Sequence, residues 1–265
     1  MTKTELLDRC ASGGEERLLL ARVLDKLEQA HKRSIPGWTF FLSPGDRAVV
    51  EPMLAAWGHP PHAFFGGYEG AERTVCGFAP DWMEPDDLFS GEDSPVCALR
   101  IFFHESAKLG HRDFLGAILG LGLTREKLGD LLVQKDHCDL LVLRETAPIV
   151  LRQLTEVGRF PVKCAPIELY ELEVRPPEVK VIRDTVATLR LDAVAASGFS
   201  TSRSKTADWI AGGRITLNHR EVTKPDRAVA QGDTVACKGL GKFILKEVSG
   251  LSKKGRVMLV IERYV

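Results

Sequence analysis

The sequence predicts an α+β protein with an N-terminal helical segment, a central α/β sandwich domain and a smaller C-terminal domain. Three observations lead to this prediction. Segments typical of strands and of helices interleave between residues 38 and 172, with hairpin turns in place of the regular spacing of a parallel sheet. Pro176 and Pro177 then interrupt the pattern, and the balance of charge changes sign nearby. We therefore place the three parts at residues 1–36, 37–174 and 180–265.

Composition excludes several classes of protein. The 265 residues are 44% hydrophobic and 27% charged, which is typical of a globular protein and not of a disordered or collagenous chain. No apolar run reaches the ~20 residues that cross a bilayer, and the N-terminus lacks the pattern of a signal peptide. We expect a cytoplasmic protein with no membrane partner.

The net charge of zero conceals two oppositely charged parts. Residues 1–179 contain 20 Lys and Arg against 28 Asp and Glu, a net charge of −8, whereas residues 180–265 contain 16 against 8, a net charge of +8. A positive charge concentrated on one small domain suits a polyanion, of which nucleic acid is the commonest. A merely solvated basic surface is the alternative.

Cysteine and histidine spacing predicts neither a metal site nor a cofactor. The six cysteines are scattered without a CxxC pair, so reduced and mostly buried thiols are expected. His59, His62 and His104 have no neighbours at the spacing of metal ligands.

The N-terminal segment is predicted to form one amphipathic helix. Ser12 and Glu15 have the spacing of a capping box, and Pro36 and Gly37 provide a stop. Between these signals, four apolar residues fall on one helical face: Leu20, Val23, Leu24 and Leu27.

The central domain opens with a strand at 38–42. Ser43 is predicted as the N-cap and Pro44 as the first residue of a helix that continues to Trp57. Turn glycines between aromatic runs predict a hairpin at 64–78, followed by an acidic loop at 81–93. The later elements are predicted as strand 96–103, helix 113–121, paired strands 128–134 and 138–143, helix 145–158 and strand 162–167.

The C-terminal domain is predicted to contain two short helices, a hairpin and several strands. The first helix covers 189–198, the second runs from Thr206 to Ala211 after an N-capping region at 200–205, and the hairpin turns at Asn218 and His219. Strands follow at 234–237, 241–248 and 256–262. The hydroxyl-rich segment 200–205 precedes the second helix, as N-capping segments commonly do.

The start of this second helix contains the residue types that bind phosphate. Ser202 and Ser204 can donate hydrogen bonds, Arg203 and Lys205 add positive charge, and helix N-terminal amides favour anions. Further cations would join the same face if the helices pack on the hairpin: Arg190, Arg214, Lys224, Lys238 and Lys242. Asp192 is interpreted as a partner that orients Arg190 or Arg203. Phe243 fits a buried strand position better than a base-stacking one.

Six ordered pieces of this domain resemble the αL RNA-binding domain, also called the S-four type. They are Leu-Arg-Leu-Asp at 189–192, Ser-Arg-Ser-Lys at 202–205, Gly-Gly-Arg-Ile-Thr-Leu-Asn at 212–218, Val-Thr-Lys-Pro at 222–225, Gly-Asp at 232–233 and Lys-Gly-Leu-Gly-Lys-Phe at 238–243. The resemblance implies recognition of structured RNA through phosphates and shape, and it adds Asn218 to the predicted RNA-binding residues. His219 departs from the glycine usual in the family, and Lys238 replaces an arginine.

The preceding part resembles the YlmH-type family of bacterial RNA-binding proteins. The resemblance depends on the segments 38–44, 111–117 with Gly120, and 125–130. It implies non-catalytic binding of rRNA or tRNA on the ribosome, with the large subunit as partner, in quality control or rescue of stalled peptidyl-tRNA complexes. Family members also have an older association with cell division, and the resemblance implies no DNA partner.

An RNA-modifying enzyme that docks through its C-terminal domain is the competing class. Arg190-Leu191-Asp192 resembles a catalytic tripeptide of some pseudouridine synthases, yet it lies within the RNA-binding helix. Gly120 and Gly122 lack the third glycine and the strand–helix setting of a methyltransferase cofactor loop. A tyrosyl-tRNA synthetase would need nucleotide-binding signature loops, which we do not find. We therefore predict that the protein is not an enzyme.

A secondary RNA contact in the central domain is the last expectation. His111, Arg112 and Asp113 invite an acid–base role, but no nucleophile accompanies them and Asp113 fits the first turn of a helix. Arg112 is predicted to contact RNA, with helix capping by the segment as the alternative. Arg125 and Lys127 are predicted as further contacts, or else as part of a solvated loop.

Overall fold

The computed structural model describes residues 1–91 and 93–264. Its contacts divide the chain into two units, residues 1–174 and 175–265. The α-helices are α1 (Lys3–Cys10), α2 (Gly14–Arg33), α3 (Pro44–Trp57), α4 (His111–Gly120), α5 (Ala147–Gln153), α6 (Leu191–Gly198) and α7 (Arg203–Ala211). None of the helices in these described ranges is long and apolar enough to span a membrane.

The strands confirm the predicted α+β class. Unit 1 contains β1 (Gly37–Leu42), β2 (His62–Phe65), β3 (Thr74–Phe78), β4 (Val96–Phe102), β5 (Leu128–Val133), β6 (His137–Leu143), β7 (Glu156–Val157), β8 (Phe160–Pro161) and β9 (Lys163–Ile167). Unit 2 contains β10 (Val179–Val186), β11 (Ile215–Leu217), β12 (Arg220–Glu221), β13 (Thr234–Cys237), β14 (Gly241–Leu251) and β15 (Val257–Tyr264).

The first part of unit 1 packs α1, α2 and α3 with an antiparallel sheet of order β1-β3-β2. Ser43 begins α3 as predicted, because its side chain accepts from the Asp46 amide at 3.1 Å while Asp46 accepts from the Ser43 amide at 2.8 Å. The predicted stripe on α2 is fully buried in the same core as Phe78 of β3. Helices and sheet therefore share one core, so the helical segment does not stand apart from the strands that follow residue 36.

The second part of unit 1 is an antiparallel sheet of order β5-β6-β4-β9 with α4 and α5 packed on it. Gly129 allows the two parts to meet closely, since an added Cβ would lie 2.7 Å from the Cβ of Leu141 and 2.8 Å from the ring of Phe41. Asp130 ties them together by accepting from the Tyr68 hydroxyl at 2.9 Å and the Glu72 amide at 2.7 Å.

Unit 2 is an antiparallel sheet of order β10-β15-β14-β13-β11-β12 that carries α6 and α7. Phe243 is fully buried and meets the ring of Phe199 edge-on, with centroids 5.0 Å apart. Gly198 lies directly against Phe243, since an added Cβ would be 2.3 Å from that ring. This confirms the interpretation of Phe243 as a core residue and excludes it from base stacking.

Three local predictions were wrong. The N-cap of α2 is Gly13 and makes no side-chain bond; Glu16, not Glu15, accepts from the Ser12 amide at 2.8 Å. The predicted helix 145–158 is much shorter, because the chain turns after α5 into the small β7–β8 hairpin around Gly158. Arg190 is the N-cap of α6, so the prediction that the tripeptide 190–192 lies within a helix was wrong for Arg190 alone, and Leu191 and Asp192 begin the helix. The helix α1 and the edge strand β10 were not predicted.

Candidate RNA-binding site

The two helices of unit 2 are joined by a buried hydroxyl. Thr206 of α7 is fully buried, and its Oγ1 donates to the backbone oxygen of Asp192 in α6 at 2.8 Å. Ser202, which lies in the predicted N-capping segment, caps α7, because its Oγ accepts from the Lys205 amide at 3.3 Å. Its hydroxyl proton still allows Ser202 to donate to a phosphate oxygen, and Ser204 is exposed in the first turn.

Asp192 brings two predicted RNA-binding arginines together. Its carboxylate lies 3.2 Å from Arg190 Nη2 and 3.0 Å from Arg203 Nη2. The Asp192 side chain is only 7% exposed, whereas those of Arg190 and Arg203 are 39% and 53% exposed. The interpretation of Asp192 as an orienting partner is therefore confirmed for both arginines.

The protonation of Asp192 depends on these partners. Burial alone would raise its pKa, but the hydrogen bonds from Arg190 and Arg203 outweigh burial and hold the pKa below its usual value. The group thus combines one buried negative charge with two partly exposed guanidinium groups. Because a guanidinium has five N–H donors, each arginine retains donors that can face a phosphate.

A second cationic group surrounds Trp209 on the same helix. The Lys205 ammonium and the Arg214 guanidinium each lie 5.4 Å from the Trp209 ring centroid, within the range of a cation–π contact. Arg214 Nη2 also donates to the Lys238 backbone oxygen at 3.1 Å, which brings Lys238 beside Arg214. The helix α7 therefore connects the Asp192 group to the Trp209 group.

The hairpin between β11 and β12 turns through two residues in the left-handed region. Asn218 has φ of 49° and His219 has φ of 65°, so His219 adopts a conformation that favours glycine. The Asn218 amide group donates to Asp233 at 2.7 Å, and its oxygen accepts from the Thr234 amide at 2.9 Å. Asn218 thus holds the turn against β13, and its side-chain amide is already used within the protein.

The segment that carries Lys224 covers the start of α6. The Leu191 amide donates to the Arg227 oxygen at 2.8 Å and the Asp192 amide to the Pro225 oxygen at 3.0 Å. These α6 amides are therefore not available to a phosphate. Lys224 is exposed beside them. Lys242 lies further along the sheet, with its ammonium 4.7 Å from the Tyr264 ring centroid.

Sequence reasoning missed three residues of this surface. Trp209 was not among the predicted site residues, although a tryptophan between flanking cations could have indicated its position. Arg227 is exposed next to Lys224. Arg256 and Arg203 line one shallow pocket of about 330 Å³ beside α6; the basic run Lys253-Lys254 before Arg256 was the available signal.

The three predicted contacts of unit 1 differ in their surroundings. Arg125 is half-buried and donates to the Leu128 and Gly129 oxygens at 3.2 and 3.0 Å. Burial lowers its pKa, and it acts as a brace for the backbone. Lys127 forms an ion pair with Glu145. Arg112 is exposed in the first turn of α4.

The acid–base interpretation of the segment 111–113 gains no support. Asp113 accepts from the Gly110 amide at 2.8 Å, so it caps α4 as the capping alternative proposed. Burial lowers the pKa of His111. Within residues 1–91 and 93–264, no group of three or more His, Cys, Asp or Glu side chains is placed to hold a metal ion.

Unit 2 has the features of an αL-type RNA-binding domain: two short helices on a small antiparallel sheet, with cations along the second helix and the adjoining hairpin. Comparison with known families agrees, because the model of the S4 domain matches residues 189–235. A second family model, described as "Putative RNA-binding domain in YlmH", matches residues 96–171.

A full-length relative extends this likeness to the whole chain. The chain is 30% identical over 250 residues to the "Ribosome-associated protein quality control protein P2" of Bacillus subtilis. The aligned region covers 94% of this chain and 95% of the relative. The chain therefore belongs to the YlmH-type family, with an S4 domain at its C-terminal end. The solved structure of the cell division protein ylmH from Streptococcus pneumoniae shares the fold with a TM-score of 0.50 at 20% identity, covering 61% of this chain and 96% of that one.

Proposed function

We propose that the protein binds structured RNA on the bacterial ribosome without catalysing a reaction. The observation that carries the proposal is the set of cations on and beside α7: Arg190 and Arg203 at Asp192, and Lys205 and Arg214 at Trp209. Charges gathered around one short helix suit the phosphates of a folded RNA, whose A-form grooves hinder reading of base edges.

The proposed contacts differ in how they act. Arg203, Lys205, Arg214, Lys224 and Lys238 supply charge, and Arg190 acts with Arg203 through their shared carboxylate. Ser202 and Ser204 donate hydrogen bonds at the start of α7. Asn218 contributes indirectly by fixing the hairpin, and Lys242 extends the charged surface along β14. Arg112 and Lys127 remain proposed secondary contacts in unit 1, whereas Arg125 supports the backbone.

The proposed setting is the large ribosomal subunit during quality control. The name of the Bacillus subtilis relative supports a ribosome-associated role in protein quality control. We extend this to rRNA and tRNA as the bound RNAs, to rescue of stalled peptidyl-tRNA complexes as the process and to the cytoplasm as the location. We also propose that the part 37–174, together with the helical segment that shares its core, and the part 180–265 act as separate domains in this role.

Ribosome association tests this proposal directly. Tagged protein is expressed in bacterial cells, ribosomal particles are separated on a sucrose gradient, and the RNA crosslinked to the protein is sequenced. We expect the protein in the large-subunit fraction, with crosslinks to rRNA and tRNA. Protein that stays at the top of the gradient, or crosslinks without rRNA and tRNA, would contradict the proposal.

The same material tests whether the protein modifies RNA. Ribosomal RNA and tRNA are incubated with the protein, digested to nucleosides and analysed by mass spectrometry. We expect no new modified nucleoside. A modification that depends on the protein would establish the competing enzyme class.

A further inference from the structure

Unit 1 contains a cleft of about 660 Å³. Among the predicted RNA contacts, Lys127 alone lines it. The cleft lies between α2, β1 and the chain that follows β6. Lys26 and Arg33 line it from α2, Trp38 from β1 and Arg144 from the end of β6. Its volume falls within the range of about 300–1,000 Å³ typical of small-molecule sites.

Most charges in the cleft are already compensated. Arg22 donates to both oxygens of Glu126, at 2.7 and 2.8 Å, and this bond holds the pKa of Glu126 below its usual value. Lys127 forms an ion pair with Glu145. These two pairs therefore add little net charge to the cleft.

The remaining charges are mainly positive. Lys26 and Arg33 are exposed and form no ion pair with any residue in the described part of the chain. Arg144 donates through Nε to the Ser94 oxygen at 2.7 Å, which leaves its Nη groups to face an anion. Asp93 is the opposing acid in the lining. The cleft thus has three cations against one acid, in a unit whose overall charge is negative.

An apolar wall lies next to these cations. Trp38, Ile35 and Leu143 contribute to the lining, and Ile35 is 50% exposed. The indole N–H of Trp38 is buried without a hydrogen-bond acceptor in the part of the chain that the structure describes. A buried donor without a partner is costly, and a ligand that brings an acceptor would remove that cost once the Trp38 indole turns far enough to expose its N–H to the cleft.

We propose that this cleft binds a nucleoside phosphate. The phosphate would face Lys26, Arg33 and Arg144, the base would lie on the apolar wall, and a base or sugar oxygen or ring nitrogen would accept from Trp38. The ligand is either a free nucleotide or an unpaired nucleotide within an RNA strand, since both have this chemistry. The site is independent of the αL-type surface and goes beyond the function proposed above.

Fluorescence titration of the full chain tests the site. Trp38 is one of four tryptophans, so its signal is obtained by difference against Trp38→Phe. The probes are AMP, the single-stranded oligonucleotide tetraadenylate and, as a control without phosphate, adenosine. We expect AMP or tetraadenylate to quench Trp38 and adenosine to bind at least tenfold more weakly. Equal binding of AMP and tetraadenylate indicates a free nucleotide, and binding of tetraadenylate alone indicates an RNA strand.

Charge variants make the assignment specific. Lys26→Glu combined with Arg33→Glu is expected to weaken binding at least tenfold, whereas Lys32→Glu, an exposed residue of the same helix turn that does not line the cleft, changes it less than twofold. If the double reversal lowers the melting temperature, Lys26→Gln with Arg33→Gln replaces it. Arg203→Ala with Lys205→Ala should leave cleft binding intact, which separates this proposal from ribosomal RNA binding. Absence of binding for AMP and tetraadenylate in equilibrium dialysis, or binding by the Lys26 and Arg33 double variant equal to that of the parent, would overturn it.

Discussion

Replacing Arg203 and Lys205 together by alanine should weaken RNA binding and reduce its dependence on salt. Arg203 contacts Asp192 and Lys205 contacts Trp209, so each charge is oriented on the exposed side of α7. The substitutions should cost little stability, about 0–1 kcal/mol, because the side chain of Arg203 is 53% exposed and its ion pair is accordingly screened. A loss of binding would therefore reflect lost phosphate contacts and not unfolding.

The size of the effect follows from counterion release. Each phosphate contact contributes a slope of roughly 0.7–0.9 to the dependence of log K on log salt. Two contacts together contribute a slope of roughly 1.4–1.8. The ratio of the parent's affinity to that of the double variant should therefore fall by about tenfold between about 50 mM and about 200 mM salt. Arg203 already shares its charge with Asp192, so this value is an upper bound.

Fluorescence anisotropy with a labelled, folded rRNA or tRNA fragment measures both quantities. The matched control is Lys180→Ala with Arg183→Ala, which removes the same two residue types from exposed positions on the edge strand β10. We expect the control to retain most of the affinity and slope of the parent protein. An unchanged slope in the Arg203 and Lys205 variant, or an equal effect of the control, would refute the proposed surface.

Three further predictions concern the support of this surface. Asp192→Asn should lower the free energy of unfolding at pH 7 by about 1–3 kcal/mol. Because the pKa of Asp192 is depressed in the folded state, the carboxylate stabilises the fold above its unfolded-state pKa of about 3.9, and this stabilisation is lost as the pH falls below that value. Melting temperatures of parent and variant that differ equally at pH 7 and pH 3 would contradict this account. Asn218→Ala should cost about 1–2 kcal/mol by urea unfolding, since it removes the bonds to Asp233 and Thr234; an unchanged urea midpoint would show that the turn does not need them. Gly198→Ala should cost about 1–3 kcal/mol, because its methyl group would overlap the Phe243 ring, and a midpoint at or above that of the parent would count against this packing.

Local sequence signals predicted the elements that are determined by neighbouring residues. Ser43 and Pro44 specify the start of α3 by themselves, because a capping side chain and a fixed φ act within one turn. The turn at Asn218 and His219 was predicted from the same kind of signal, and both residues have positive φ. The αL motifs also gave the correct class of C-terminal domain.

Long-range contacts determined what the sequence did not reveal. Arg125 has the appearance of an exposed cation in a polar turn, yet the backbone oxygens of Leu128 and Gly129 engage it. Asn218 was grouped with RNA-binding residues, but Asp233, which lies 15 residues later, uses its amide. The strand β10 shows no clear alternation of its own, and it forms because β15 pairs with it along its whole length.

The predicted end of helix α5 was too far along the chain. Apolar residues at 147–154 continue a helical pattern, but the chain leaves the helix after Gln153 so that Val157 enters the buried core beside the β7–β8 hairpin. Periodicity alone could not place this end, because the competing core contacts come from other elements.

Mapping the protein side of RNA crosslinks tests the central claim most directly. The parent protein is bound to ribosomal particles, irradiated and digested, and the peptides that carry crosslinked nucleotides are identified by mass spectrometry. The account predicts crosslinks in the peptides that contain α7 and the β11–β12 hairpin, with loss of the α7 crosslinks in the Arg203 and Lys205 variant. Crosslinks confined to unit 1, or to the strands β14 and β15, would show that RNA binds elsewhere.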